Sequence, residues 1–285
     1  MLEQLNLPLE QLPVSELVED ATQWLVDTFS GFFNAITLYG SQFMSEFTNV
    51  LSWIPPVLFI LLVALLAYFA NQREWGLPVF ALIGLGYILN QNLWGQLLDT
   101  IALIMVATII TVMIGIPIGI LTAKSNTANS IVQPILDFMQ TMPAFVYLIP
   151  AVAFFGIGMV PGIFASFIYA LAPTVRFTNL GIREIDPELI EASESFGSTS
   201  NQKLFKIELP LAKNTIMAGV NQTVMLTLSM VVIASMIGAP GLGGNVLTAL
   251  QRAQVGEGFV SGLAIVILAV IVDRLTQSLG RDKRA

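Results

Sequence analysis

The chain contains no cysteine and no histidine. It therefore cannot form a disulfide, a thiolate or imidazole metal site, or a Ser-His-Asp or Cys-His catalytic pair. Neither a catalytic nor a metal-ligating residue is assigned. Charge is also scarce: 11% of the 285 residues are Asp, Glu, Lys or Arg, against about a quarter in an ordinary soluble domain. What fills the space is apolar, with 55% hydrophobic residues and a mean hydropathy of +0.78. The expected solvent is a lipid bilayer. The first 50 residues hold seven acids and no Lys or Arg, which does not match the basic start of a secretory signal peptide. The net charge of -7 makes nucleic acid an unexpected partner, and the charges cluster in short stretches between apolar runs.

A membrane helix needs about 20 apolar residues to cross roughly 30 Å of hydrocarbon. Seven stretches qualify, at about 51-70, 75-90, 97-121, 138-158, 161-180, 215-237 and 258-277. Gly156, Gly158, Pro161 and Gly162 crowd the join between the fourth and fifth, so a tight turn is expected there, with one long helix as the alternative. Lys and Arg near span ends stay in the cytoplasm. Placing the C-terminus inside puts Arg73, Lys124, Arg176, Arg183, Lys203, Lys206, Lys213, Arg274, Arg281, Lys283 and Arg284 on that side, leaving only Arg252 outside. An external N-terminus follows. Within the acidic segment 1-50, residues 15-49 place Leu17, Trp24, Phe32 and Ile36 near helical spacing, which predicts an amphipathic helix on the outer membrane surface or packed on the bundle. Segments 51-95 and 96-285 then read as two accessory spans and a core domain.

Between the fifth and sixth spans lies a polar loop, 181-213. Asp186 followed by Pro187 is a strong helix start, because Asp caps free amides and Pro at the first helical position loses no bond. Gly197 suits the left-handed conformation after a helix end. A second helix can start at Ser198, Thr199 or Ser200, and Pro210 is expected to bound it. The loop predicts an amphipathic helix-turn-helix on the cytoplasmic face, suited to lipid, its own bundle or a partner's groove.

Residues Glu191-Ala192-Ser193, then Gly197, Ile207 and Leu209-Pro210, resemble the cytoplasmic signature of ABC-importer permeases, with every spacing matched. Ser193 stands where the signature has a second alanine. Met139 to Pro150 and Tyr169 to Arg183 look like the glycine betaine and proline branch of that family. The resemblance implies an all-α, polytopic bundle of the type I importer permease kind in a bacterial or archaeal cytoplasmic membrane. It implies a second permease copy, an external substrate-binding protein, and an ATPase subunit gripping the loop. Glu191 would orient the docked helix, Gly197 would permit the turn, and Ile207, Leu209 and Pro210 would fix the second arm. The chain itself lacks a Walker A glycine loop, so ATP and Mg²⁺ would belong to the partner.

For the solute, a quaternary ammonium has no N-H to donate and is held against aromatic faces. Phe145, Tyr147 and Tyr169 are candidates, with Asn221, Gln222 and Thr223 as polar lining; the ordinary explanation is core packing or an interfacial aromatic belt for the rings and helix packing for the polar residues. Asp99, Asp137, Asp273 and Arg274 read as exposed span ends, and 238-244 as an external turn. An ion-driven secondary transporter would carry paired carboxylates at span centres, and none is seen there.

Overall fold

The computed structural model describes residues 12-70 and 73-280, and every regular element among them is helical. Two helices open the chain, α1 (Val14–Thr28) and α2 (Ser30–Ser52), followed by α3 (Pro56–Ala70) and α4 (Gly76–Asn90). The long α5 (Trp94–Lys124) leads into α6 (Asn126–Thr141), a 3-10 turn at Ala144–Tyr147, and α7 (Leu148–Phe155). Then come α8 (Met159–Arg183), α9 (Pro187–Ser195), α10 (Ser200–Lys203), α11 (Leu209–Ser235), α12 (Leu242–Gln251) and α13 (Val255–Gly280). The cations Arg281, Lys283 and Arg284 lie outside the described residues.

Four helices are long and apolar enough to cross a membrane unaided: α5, α8, α13 and a 36-residue helix running from Ser200 to Ser235. Two bent pairs raise the count to six, α2 with α3 at 89° and α6 with the 144-155 helix at 110°. The fourth expected span, 138-158, is thus a sharp elbow. Pro143 causes it, because a proline cannot donate to the preceding turn and pushes Met142 into extended backbone (ψ 134). The fourth and fifth spans are separate helices. Gly156 and Gly158 sit at φ +74 and +133 in the turn between them, a region glycine enters without the Cβ penalty.

The core is a trio of helices in unusually close contact. On α5, Gly115 and Gly119 lie one turn apart, and a Cβ on Gly119 would fall 2.4 Å from Thr178 Cβ and 2.8 Å from the Val175 carbonyl of α8. On α11, a Cβ on Gly219 would fall 2.6 Å from Phe177 Cβ of α8. Small residues let backbones approach, which is how helices gain dispersion contact in lipid, where burial of apolar surface drives little. Thr174 and Thr223, both fully buried, share a hydrogen bond of 2.6 Å across α8 and α11.

The amphipathic segment 15-49 divides at Phe29. α1 buries no residue, whereas α2 packs on the bundle, with Phe33 stacked on Phe154 at 4.9 Å and set edge-on to Phe155 at 5.5 Å. The glycine-rich stretch 238-244 is a turn only as far as Gly241, after which α12 begins. By the order of the helices, Arg73, Lys124, Arg183, Lys203, Lys206, Lys213 and Arg274 fall toward the end bearing 184-208, Arg176 lies two turns inside that end of α8, and Arg252 falls at the other end.

Candidate coupling site and membrane pathway

The polar loop folds as its local chemistry dictates. The Asp186 carboxylate accepts from the Glu188 amide at 2.9 Å and Pro187 occupies the first turn of α9. Gly197, at φ +78, ends that helix. The Ser198 amide donates to the Ser193 carbonyl at 3.1 Å and the Gly197 amide to the Glu194 carbonyl at 2.9 Å, the pair of bonds that defines a Schellman ending. Thr199 starts the second arm with a reciprocal capping box: its Oγ1 accepts from the Gln202 amide, and its own amide donates to Gln202 Oε1.

Pro210 does not bound the second arm. Residues Leu204–Glu208 widen into a π-turn, in which the Leu209 amide donates to the Leu204 carbonyl, and the helix runs on through Pro210 into α11. A proline lacks an amide donor and crowds the carbonyl four residues back; a widened turn removes both conflicts. The second arm of the hairpin and the membrane helix are one continuous rod from Ser200 to Ser235.

Glu191, Ala192, Gly197 and Pro210 are exposed, Ile207 and Leu209 half-buried. Ser193 is the buried residue of α9, and its hydroxyl donates to the Ile190 carbonyl at 2.7 Å, so replacing alanine by serine leaves no polar group unpaired. Phe196, Phe205 and Leu189 stand out to solvent at 91%, 66% and 50% exposure, apolar surface largely uncovered by the described residues. The hairpin closes on itself through an ion pair between Lys203 and Glu194. Hydrogen bonding to Lys203 holds the Glu194 carboxyl below the usual carboxylate range, and the same bond raises the Lys203 ammonium.

Sequence reasoning missed Glu208. Its side chain is 5% exposed and paired with Lys124, the last residue of α5, so the hairpin is tied to the neighbouring span by a largely buried carboxylate. The available signal was an acid standing between Ile207 and Leu209-Pro210 in an otherwise apolar stretch.

The sequence-derived pathway residues scatter. Thr223 is fully buried, bonding Thr174 and the Ala170 carbonyl. Asn221 faces α13, where its amide donates to Asp273 at 3.2 Å. Gln222 is exposed on α11, as is Phe145 beyond the elbow. Tyr147 is 4% exposed, hydrogen-bonded to the Met139 carbonyl, with its ring edge-on to Tyr169 at 6.0 Å. Gln222 and Phe145 therefore present themselves to open space, Tyr169 and Asn221 in part, and Thr223 and Tyr147 do not.

A second polar feature escaped the sequence reading altogether. Asn126, Asn129, Gln133, Asp137 and Gln140 recur every three or four residues on α6 and so form one stripe. That stripe meets α8: Arg183 donates to Asn126 at 2.9 Å, Asn179 to Asn129 at 3.1 Å, and Arg176 to both Asp137 and Gln140. The opposite face of α6 exposes Ile131, Ile135 and Phe138. The helix is amphipathic: its polar stripe turns toward α8, with Asn126, Asp137 and Gln140 still exposed along the edge of that contact.

Comparison with known proteins places this architecture. Residues 115–284 match the family of binding-protein-dependent transport system inner membrane components. The glycine betaine/carnitine transport permease GbuB of Listeria monocytogenes is 53% identical over 98% of this chain and 99% of its own. The glycine betaine transport system permease OpuAB of Bacillus subtilis is 46% identical over 97% of this chain and 98% of its own. Among solved structures, an inward-facing form of the MetNI methionine ABC transporter shares the fold, with a TM-score of 0.56 at 24% identity over 68% of this chain and 93% of that one. With its exposed signature hairpin and glycine-packed helices, the chain belongs to the binding-protein-dependent transport system inner membrane components, the membrane permeases of ABC importers.

Proposed function

We propose that this permease carries glycine betaine or a closely related quaternary-amine osmolyte inward across a bacterial or archaeal cytoplasmic membrane. The observation that carries the solute is the near full-length identity to two permeases whose names specify glycine betaine. Proline betaine, carnitine and choline are the nearest alternatives, and each is a quaternary ammonium.

The exposed hairpin supports the coupling role. Its apolar face of Leu189, Phe196 and Phe205 suits the groove of a cytoplasmic ATPase subunit, beside the free Glu191 carboxylate. Two permease copies, each engaging one ATPase, assemble around the pathway, and a loaded binding protein docks at the opposite end. The N-terminus is external and the C-terminus cytoplasmic. ATP and Mg²⁺ act in the ATPase; closure of that subunit draws the two hairpins together and turns the pathway outward.

The test is uptake into proteoliposomes holding the permease, its ATPase and the binding protein. ATP-dependent accumulation of labelled glycine betaine is expected, reduced by unlabelled proline betaine. Replacing Gly197 by Val places a β-branched residue at φ +78, which costs roughly 1–2 kcal/mol. With Glu191→Ala, it is expected to uncouple uptake from ATP hydrolysis and to weaken co-purification of the ATPase. Unchanged uptake and co-purification in both variants would sink the coupling role.

A further inference from the structure

The polar seam between α6 and α8 contains one ion pair, Arg176 with Asp137, supplemented by a hydrogen bond from Arg176 to Gln140. Arg176 lies seven residues before the end of α8, about 10 Å inside the bundle at 1.5 Å per residue. Both side chains are nonetheless open, 32% exposed for Arg176 and 59% for Asp137. Charges at that depth do not face hydrocarbon; they face water or a polar passage. A half-exposed pair is also weakly held. The Arg176 Nε is buried without an acceptor among the described residues, so it is out of a solute's reach, and the donors open to exchange are the two terminal nitrogens that Asp137 and Gln140 hold.

We infer that Arg176 and Asp137 form a zwitterion-exchange site, at which the solute's carboxylate takes Arg176 while its quaternary ammonium settles beside Asp137. A betaine carries one charge of each sign, so it replaces the internal pair without leaving either protein charge unmatched. Arg offers two parallel N-H donors to a carboxylate, a fit that a lysine lacks. The ammonium needs only an anion or a ring face, having no proton to give. Tyr169, on the same stripe of α8 and about 10 Å further from its end, presents a ring for the preceding step. Choline has the cation without the carboxylate, so this site separates the two classes of quaternary amine. The inference rests on the proposed solute and adds the residues that recognise it.

The experiment is saturation-transfer NMR on the trimethyl protons of glycine betaine and of choline, using the permease-ATPase complex in nanodiscs without the binding protein. Charge-assisted bonds of this kind are worth about tenfold to a hundredfold in affinity. Arg176→Gln is expected to weaken glycine betaine by that factor and leave choline within about twofold; Asp137→Asn is expected to weaken both. Arg176→Lys falls between, and decides by the same split if Arg176→Gln does not assemble. Equal binding in wild type and variants overturns the site, as does an equal loss of both solutes from Arg176→Gln, which marks a structural pair. Loss of the permease dimer in Arg176→Lys assigns the pair to a subunit contact and overturns it too. Absence of glycine betaine uptake by the wild-type proteoliposomes instead overturns the solute assignment. Uptake by the wild type with no saturation transfer overturns only the site.

Discussion

The two faces of α8 are built on different physics. Toward α5 and α11 it meets glycines and threonines at separations that leave no room for one added methyl group. Toward α6 it meets a row of amides and one carboxylate through side-chain hydrogen bonds, beside one small apolar contact in which Leu136, the buried residue of α6, packs on Ala172 and Val175. Close steric packing has one satisfactory arrangement, because dispersion falls off within an ångström of separation. Polar side chains in a half-exposed seam lose little by exchanging one partner for another or for water. The first face suits a permanent frame. The second suits a joint.

The sharpest way to break that comparison is Gly119→Ala. The new Cβ would overlap a backbone carbonyl and the Thr178 Cβ, neither of which is a flexible tip, so a loss of about 3 kcal/mol is expected. Thermal unfolding of the purified protein measures it, and an unchanged midpoint would mean that the frame is looser than its geometry. Lys124→Met probes a polar link of intermediate burial. It strands Glu208, whose side chain is 5% exposed, at a cost of about 2 kcal/mol, less than the 3–5 of a fully buried pair because Lys124 is 40% exposed. Restoring neutrality with Glu208→Gln in the same chain is expected to recover most of the loss.

The smallest effect belongs to Glu194→Gln at the exposed hairpin pair. Because the folded Glu194 carboxyl lies below its ordinary range, its contribution is present above that range and lost as the pH falls through the folded value. Lys203 is raised, so its contribution is present below the ordinary ammonium range and lost as the pH climbs past the folded value. Between those limits, ATPase co-purification should be flat with pH and only slightly reduced by Glu194→Gln, with the difference vanishing at high salt.

The hairpin was legible because its determinants are local. Asp186-Pro187, Gly197 and Thr199 act within four residues of themselves, and each performs the expected task. The elbow at Pro143 was not legible as an elbow: Met139 to Pro150 is mostly apolar on both sides of the proline, and hydropathy does not register direction. The polar stripe of α6 was visible at helical spacing, yet reads as an ordinary loop until α8 supplies Arg176, Asn179 and Arg183 opposite it. Pro210 misled for the opposite reason, since a proline signals a boundary only where the backbone cannot widen around it. Asn221 and Thr223 are oriented by α13 and α8, so their burial is a property of the assembled bundle.

The uninterrupted helix from Ser200 to Ser235 has a mechanical meaning. Its 36 residues span about 54 Å, more than the thickness of the bilayer. Such a strut cannot be depressed at one end and stay still at the other. A small tilt imposed on Phe205 from the aqueous side is delivered, lever-fashion, to the Gly238 corner at the far surface.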